Sequence, residues 1–166
     1  MITPSYVATL AAHSRWVNDG IFAGCDQLSD ADRKKDCGAF FKSIHGTLNH
    51  ILWANQMWMH RLAETPAPIA AAIPGSLNQY ESYDDLKRER EVLDDVIRDW
   101  AADLDQSALE GNLTWYSGSS GREMTHPRWI LITHLFNHQI HHRGQVHCLL
   151  TQFGVETPVT DLPMMP

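Results

Sequence analysis

Apolar and small residues recur at helical spacing along four stretches of the chain. Val7, Leu10, Ala11, Ser14, Val17, Ile21 and Cys25 form the first stripe. Ahead of it, Thr3-Pro4 supplies an N-cap and a first-position proline, the pair that starts a helix. Residues 29–37 (SDADRKKDC) carry no core face and predict at most a short helical turn. The second stripe predicts a helix from about Ala39 to Glu64, with Phe40, Phe41, Ile44, Leu48, Ile51, Leu52, Trp58 and Leu62. Residues 65–77 (TPAPIAAAIPGSL) hold three prolines and a glycine and predict a loop. Ser82 with Asp85 approximates a capping box. Beyond it Leu86, Leu93, Val96, Ile97, Trp100 and Leu104 mark the third helix.

Residues 105–126 are broken by glycine. Within them Leu113–Tyr116 and Arg122–Thr125 flank the turn-like SGSSG and predict a small hairpin. The fourth helix runs from about Pro127 to Gly154, whose missing Cβ suits the left-handed position after a helix end. The tail VETPVTDLPMMP is expected to be extended. Four long amphipathic helices predict an all-α four-helix bundle, a single domain over residues 1–166. At about 3.3 Å per extended residue, the link 65–81 is long enough to span a whole helix. A crossover between parallel second and third helices and a simple up-down order are both compatible with it.

Composition narrows the class. A chain of 166 residues, 43% hydrophobic and 20% charged, reads as one soluble globular domain. Its net charge of −7 counts against a nucleic-acid surface, and no basic run exceeds Arg33-Lys34-Lys35. No apolar stretch reaches the roughly 20 residues of a membrane span. The start lacks the basic and apolar regions of a signal peptide. Cys25, Cys37 and Cys148 are odd in number and form no CxxC pair, as expected of reduced thiols in a cytoplasmic protein.

The chemistry concentrates in the fourth helix. Five of the ten histidines fall between His134 and His147. Positions i and i+4 share a helix face, so His134, His138 and His142 form a row, with His141 about 60° to one side of His138. Two imidazoles at i,i+4 give a transition metal half of its ligands, and a catalytic site of the zinc type needs a third protein ligand plus an open position. A facing helix supplies it in a bundle. His13, His45, His50, His60 and His126 compete for that place. His50 has the best position, within the apolar stripe of the second helix. His45 is about 140° around that helix, so the two cannot point at one centre. His60 reads as exposed, and His126 is about three turns from His138. His13 faces inward only if the Trp16 side of its helix does.

These residues resemble a family. SIHGTLNHILWANQMWMHRL in the second helix, HLFNHQIHHRGQ in the fourth, SRWVND in the first and the terminal TDLP are similar to the DinB family of bacterial four-helix-bundle proteins. The resemblance covers nearly the whole chain. It implies an up-down-down-up order, frequent homodimers, and a three-histidine metal site that falls here on His50, His138 and His142. Asn55 stands where an aspartate is common in relatives, which counts against an acid–base role there.

The remaining residues of the row have supporting roles. His134 and His141 are expected to fix ligand tautomers, Gln145 to line the pocket, and Arg143 to make a structural salt bridge. His147 is off the row. Cys148 is expected to be a buried apolar residue, and the six tryptophans core or pocket wall.

Three neutral imidazoles leave a divalent ion its full charge, which acidifies a bound water or thiol. Zn²⁺ or Ni²⁺ fits such a donor set, and Fe²⁺ and Co²⁺ suit imidazole as well. There is no HExxH, and no Asp or Glu stands near the row before Glu156. A reaction that needs only activation of an incoming nucleophile therefore fits best. The resemblance points the same way, since relatives include metal-dependent S-transferases and isomerases that use low-molecular-weight thiols. The expectation is a metal-dependent enzyme that acts on a small molecule with such a thiol. Two other readings are metal-assisted hydrolysis of a small ester or amide, and a non-catalytic, stress-related metal-binding protein. The last predicts a shell closed by a fourth protein ligand, with no pocket beside it. Metal affinity is expected to collapse below about pH 6.5, where solvated imidazoles protonate.

Overall fold

Thr3 caps the first helix as its sequence predicts: its side chain accepts from the Tyr6 N–H, and α1 spans Pro4–Asp26. A computed structural model describes residues 2–166. After α1 come a short helix α2 (Asp30–Lys34), α3 (Ile44–Ala63), a single turn α4 (Ile73–Ser76) and α5 (Tyr83–Ala102). A hairpin of β1 (Asn112–Ser117) and β2 (Arg122–Pro127) leads into the last long helix, α6 (Arg128–Gln152). The protein is thus mainly helical, and the hairpin is the one sheet among the described residues.

The second helix starts later than its apolar stripe. Ser43 is its N-cap, accepting from the Gly46 N–H. Ala39–Lys42 form a tight turn instead, closed by the Lys42 N–H on the Ala39 carbonyl, with Lys42 at φ 70°. Phe41 is apolar because the turn folds it into the core, not because it belongs to the helix. Gly46 makes that possible. A Cβ there would lie 2.6 Å from the Phe41 carbonyl oxygen, so only glycine lets the turn lie this close to α3. The third helix begins three residues earlier than its first apolar position, with Ser82 accepting from the Asp85 N–H. Leu104 lies past its end and packs against the core from outside.

Strand pairing agrees with the expected hairpin, with β1 one residue longer at each end and β2 two residues longer at its outer end: Asn112 opposes Pro127 and Ser117 opposes Arg122. At the end of α6, Gly154 has φ 73°. The Val155 N–H donates to the Leu150 carbonyl and the Gly154 N–H to Thr151, the paired bonds of a Schellman cap. The tail is extended except for a 3-10 turn at Leu162–Met164.

The four long helices surround one core. α1 packs on α5 and α6, and α3 packs on the same two helices. Ile21, Leu52, Ile97 and Phe136, one from each helix, are almost fully buried in it. Contacts fix the alignment of the pairs. Phe22 of α1 meets Tyr83 at the start of α5, while Arg15 meets Asp95 further along it. Ser14 and Asn18 of α1 meet Arg143 of α6. Asn55 of α3 meets Arg90 of α5, and Trp58 of α3 meets His134 of α6. Among the described residues no helix is long and apolar enough to cross a membrane.

Candidate metal centre

Where α3 faces α6, His50, His138 and His142 converge. One ligand-capable nitrogen of each lies within 4.8 Å of the others. Ring centroids are 4.5 Å apart for His138 and His142, 5.0 Å for His50 and His142, and 5.3 Å for His50 and His138. His50 and His142 are buried and His138 is half-buried. The three histidines are positioned to bind a divalent metal ion.

Hydrogen bonds orient two of the rings. His142 Nδ1 lies 2.8 Å from Gln145 Oε1, an atom that only accepts, so His142 carries its proton on Nδ1 and offers the Nε2 lone pair. His50 Nδ1 lies 3.1 Å from Ser76 Oγ. The Ser76 hydroxyl donates to the Ile73 carbonyl at 2.7 Å, so it accepts from His50, whose Nε2 is likewise free. His138 differs. Its Nδ1 is buried and has no partner among the described residues. A donor set of neutral nitrogens, two with fixed tautomers and one with an orphaned ring nitrogen, fits a borderline cation such as Zn²⁺ or Ni²⁺.

Electrostatics keeps these rings neutral. Burial pushes the His50 pKa down to about 4, with His142 adding to it. Burial pushes His138 down to about 3, with His142, His50, His134 and His141 adding to it. Burial also lowers His142, against the raising effect of the hydrogen bond it donates to Gln145.

The centre forms one wall of a cavity of about 710 Å³ between α3, α4, α6 and the hairpin. Its other walls are largely aromatic, with Trp53, Trp58 and Trp115, and Phe41 packs 3.9 Å from the His50 ring centroid. Trp53 also pins the link that leads to α4, its Nε1 donating to the Ala70 carbonyl at 2.7 Å. No Asp or Glu lines the cavity among the described residues.

The other histidines go elsewhere. His45 turns to the start of α5, its Nε2 donating to the Tyr80 carbonyl at 2.9 Å. His13 is buried by the tail, with Nε2 2.9 Å from the Thr160 carbonyl and Trp16 beside it. His60 is exposed and bonded to the Thr65 carbonyl. His126 lies against Trp115, and His147 lines a separate small cavity near the tail. His134 packs edge-on to Trp58 and 5.5 Å from His138, and it makes contact by packing alone. His141 accepts weakly from the Gln145 amide at 3.5 Å.

Four expectations change. His134 and His141 make no hydrogen bond to the triad among the described residues, and Ser76 and Gln145 fix its tautomers instead. Gln145 does not line the cavity: it holds the far side of His142. Arg143 makes no salt bridge among the described residues. It is buried and donates to Ser14, Asn18 and Gln139, all neutral, and burial pushes its pKa down to about 10. Cys148 is exposed, since Val146, Leu149 and Leu150 take the buried face of that turn. Sequence reasoning missed Ser76, a serine inside a Pro- and Gly-rich link, where nothing in the pattern marks it as the partner of His50.

No curated protein matches the sequence. A family model described as the DinB family matches residues 1–166, the whole chain. A helical bundle with three histidines gathered between two of its helices agrees with that match, and the chain belongs to the DinB family.

Proposed function

We propose that this protein is a metal-dependent enzyme that activates a small thiol for attack on an electrophilic substrate, with His50, His138 and His142 as metal ligands. The observation that carries the reading is the convergence of three oriented imidazoles on the wall of a cavity large enough for a small molecule. A structural site would be closed by a fourth protein ligand. Here the group contains three, and it borders open space. The order of contacts along the helix pairs supports an up-down-down-up arrangement, with the link through α4 as the crossover.

Held by His50, His138 and His142, a divalent ion would supply Lewis acidity that favours the ionised form of a thiol beside it. The chain does the rest. Ser76 and Gln145 hold His50 and His142 with the proton on Nδ1 and the Nε2 lone pair free. Phe41 and Trp53 flank His50 and exclude water from its side of the centre. The aromatic walls stack a flat substrate against the reacting sulfur. The cavity walls offer no carboxylate to act as the general base of hydrolysis, which favours thiol transfer over ester or amide cleavage.

The test is metal analysis after chelation and reloading, with conjugation of a model electrophile by a panel of thiols. Wild type should hold one equivalent of metal and show metal-dependent conjugation. His138→Ala and His142→Ala should lose both. Unchanged metal content in these variants would remove the site, and full loading without turnover on any thiol would remove the reaction.

A further inference from the structure

Arg61 is one of five cations without a carboxylate within salt-bridge distance among the described residues, beside Lys35, Arg122, Arg128 and Arg143, and of these it alone lines the cavity of the histidine triad. Arg15, Lys34, Lys42, Lys87, Arg88, Arg90 and Arg98 each have a carboxylate within salt-bridge distance. Arg61 has none among the described residues, and burial is the one influence that shifts its pKa, downward. It is nonetheless held in place. Its guanidinium carbon lies 5.0 Å from the Trp58 ring centroid and 5.6 Å from that of Trp115, a cation–π clamp from two elements. It lines the same cavity as the histidine triad, at the opposite end of α3 from His50.

A half-buried guanidinium keeps five donors in a fixed fork that matches a carboxylate. No Arg61 nitrogen is among the buried unpartnered atoms, so its donors are open to the cavity and free to meet an acceptor there. The cavity has no acid of its own, although the chain carries a net charge of −7. Its electrostatics are therefore inverted relative to the rest of the surface, with Arg61 at one side and a cation-binding triad at the other. The wall between them, with Trp53, Met57 and Trp58, is flat and apolar.

We propose that Arg61 is the anion-recognising residue of this cavity, binding the carboxylate of a small substrate whose flat apolar body lies along the tryptophan wall. The assignment rests on reading the cavity as the substrate site, but it does not depend on metal or on turnover. The guanidinium sets orientation. With its carboxylate held at Arg61, the substrate presents its distal end towards His138 and His142.

Calorimetric titration of the full chain with 2-naphthoate and its neutral isostere 2-naphthamide tests this, on zinc-loaded protein and again after chelation. Naphthoate should bind at least tenfold more tightly than naphthamide in both states. Arg61→Gln should bring the two ligands to equal affinity, and Arg61→Lys should restore part of the difference. Equal affinities in wild type would overturn the proposal without any variant being needed. A preference that survives in Arg61→Gln would also overturn it. If that surviving preference vanishes on chelation, the metal and not Arg61 selects the anion. Metal content measured on the same samples reports separately on the triad.

Discussion

His50 and His138 show what burial does to imidazoles positioned to bind a metal. Protons compete for a site only if they bind its ligands. Three solvated imidazoles with pKa near 6.5 would lose about a thousandfold in metal affinity between pH 7.5 and 5.5. Here His50 titrates at about 4 and His138 at about 3, so both are neutral at pH 5.5. The expected loss of zinc affinity over that interval is about tenfold or less, read by competition dialysis against a calibrated chelator. A thousandfold loss would mean that the rings behave as if solvated. The sequence, which shows the imidazoles but not their surroundings, places this collapse too high in pH. Linkage gives the companion sign. A histidine whose folded pKa lies below its unfolded value opposes folding once the unfolded state takes up protons. The metal-free fold therefore loses stability as pH falls from about 6.5 towards 4, and pH above 6.5 adds nothing from these groups.

At the scale of elements, the single turn α4 sets the orientation of His50 on α3. Ser76 is fully buried and accepts from His50 Nδ1, although 26 residues separate them. Ser76→Ala should lower zinc affinity about ten- to a hundredfold, the usual cost of losing an outer hydrogen-bond partner. The fold should change little, since alanine fits the space. Unchanged affinity would show that packing by Phe41 and Trp53 alone orients His50. The sequence exposes the helices and fails at α4 for a physical reason. Periodicity reports burial repeated over several turns, which gives α1, α3, α5 and α6 and also puts His50 on the inner face of α3. Residues 73–76 bury one side chain, Ser76, and carry no period. Phe41 misleads for the same reason, because an apolar residue in a tight turn extends the stripe of the following helix. Nothing in the pattern marks Arg61, and only its tertiary neighbours Trp58 and Trp115 place it in the cavity.

Across the whole molecule, the bundle is tied together by a buried polar network beneath the site. Arg143 of α6 donates to Ser14 and Asn18 of α1, Asn18 donates to both oxygens of Asp94 on α5, and Arg90 of α5 joins Asp94 to Asn55 of α3. All four long helices meet in it. Its charge does not balance. Arg90 and Arg143 are buried with the single carboxylate of Asp94, and Arg143 is lowered by burial with the Arg90 charge adding to it. Donors are in excess as well, since Asn55 Nδ2 and Arg90 Nε are buried without partners among the described residues. Asn55→Asp addresses both faults at once, replacing an orphaned donor by an acceptor beside a guanidinium already 2.8 Å away. Burying a new carboxylate is costly in general, yet here its partner is buried and half-neutralised beforehand, so the pairing gain should win. The expected outcome is a gain in stability on the order of 1–3 kcal/mol, the cost of one orphaned buried donor, seen as a higher urea midpoint at unchanged slope. Metal content should stay the same, because Asn55 bonds to Arg90 and not to the triad. A lower midpoint would show that desolvating the carboxylate outweighs its pairing with Arg90.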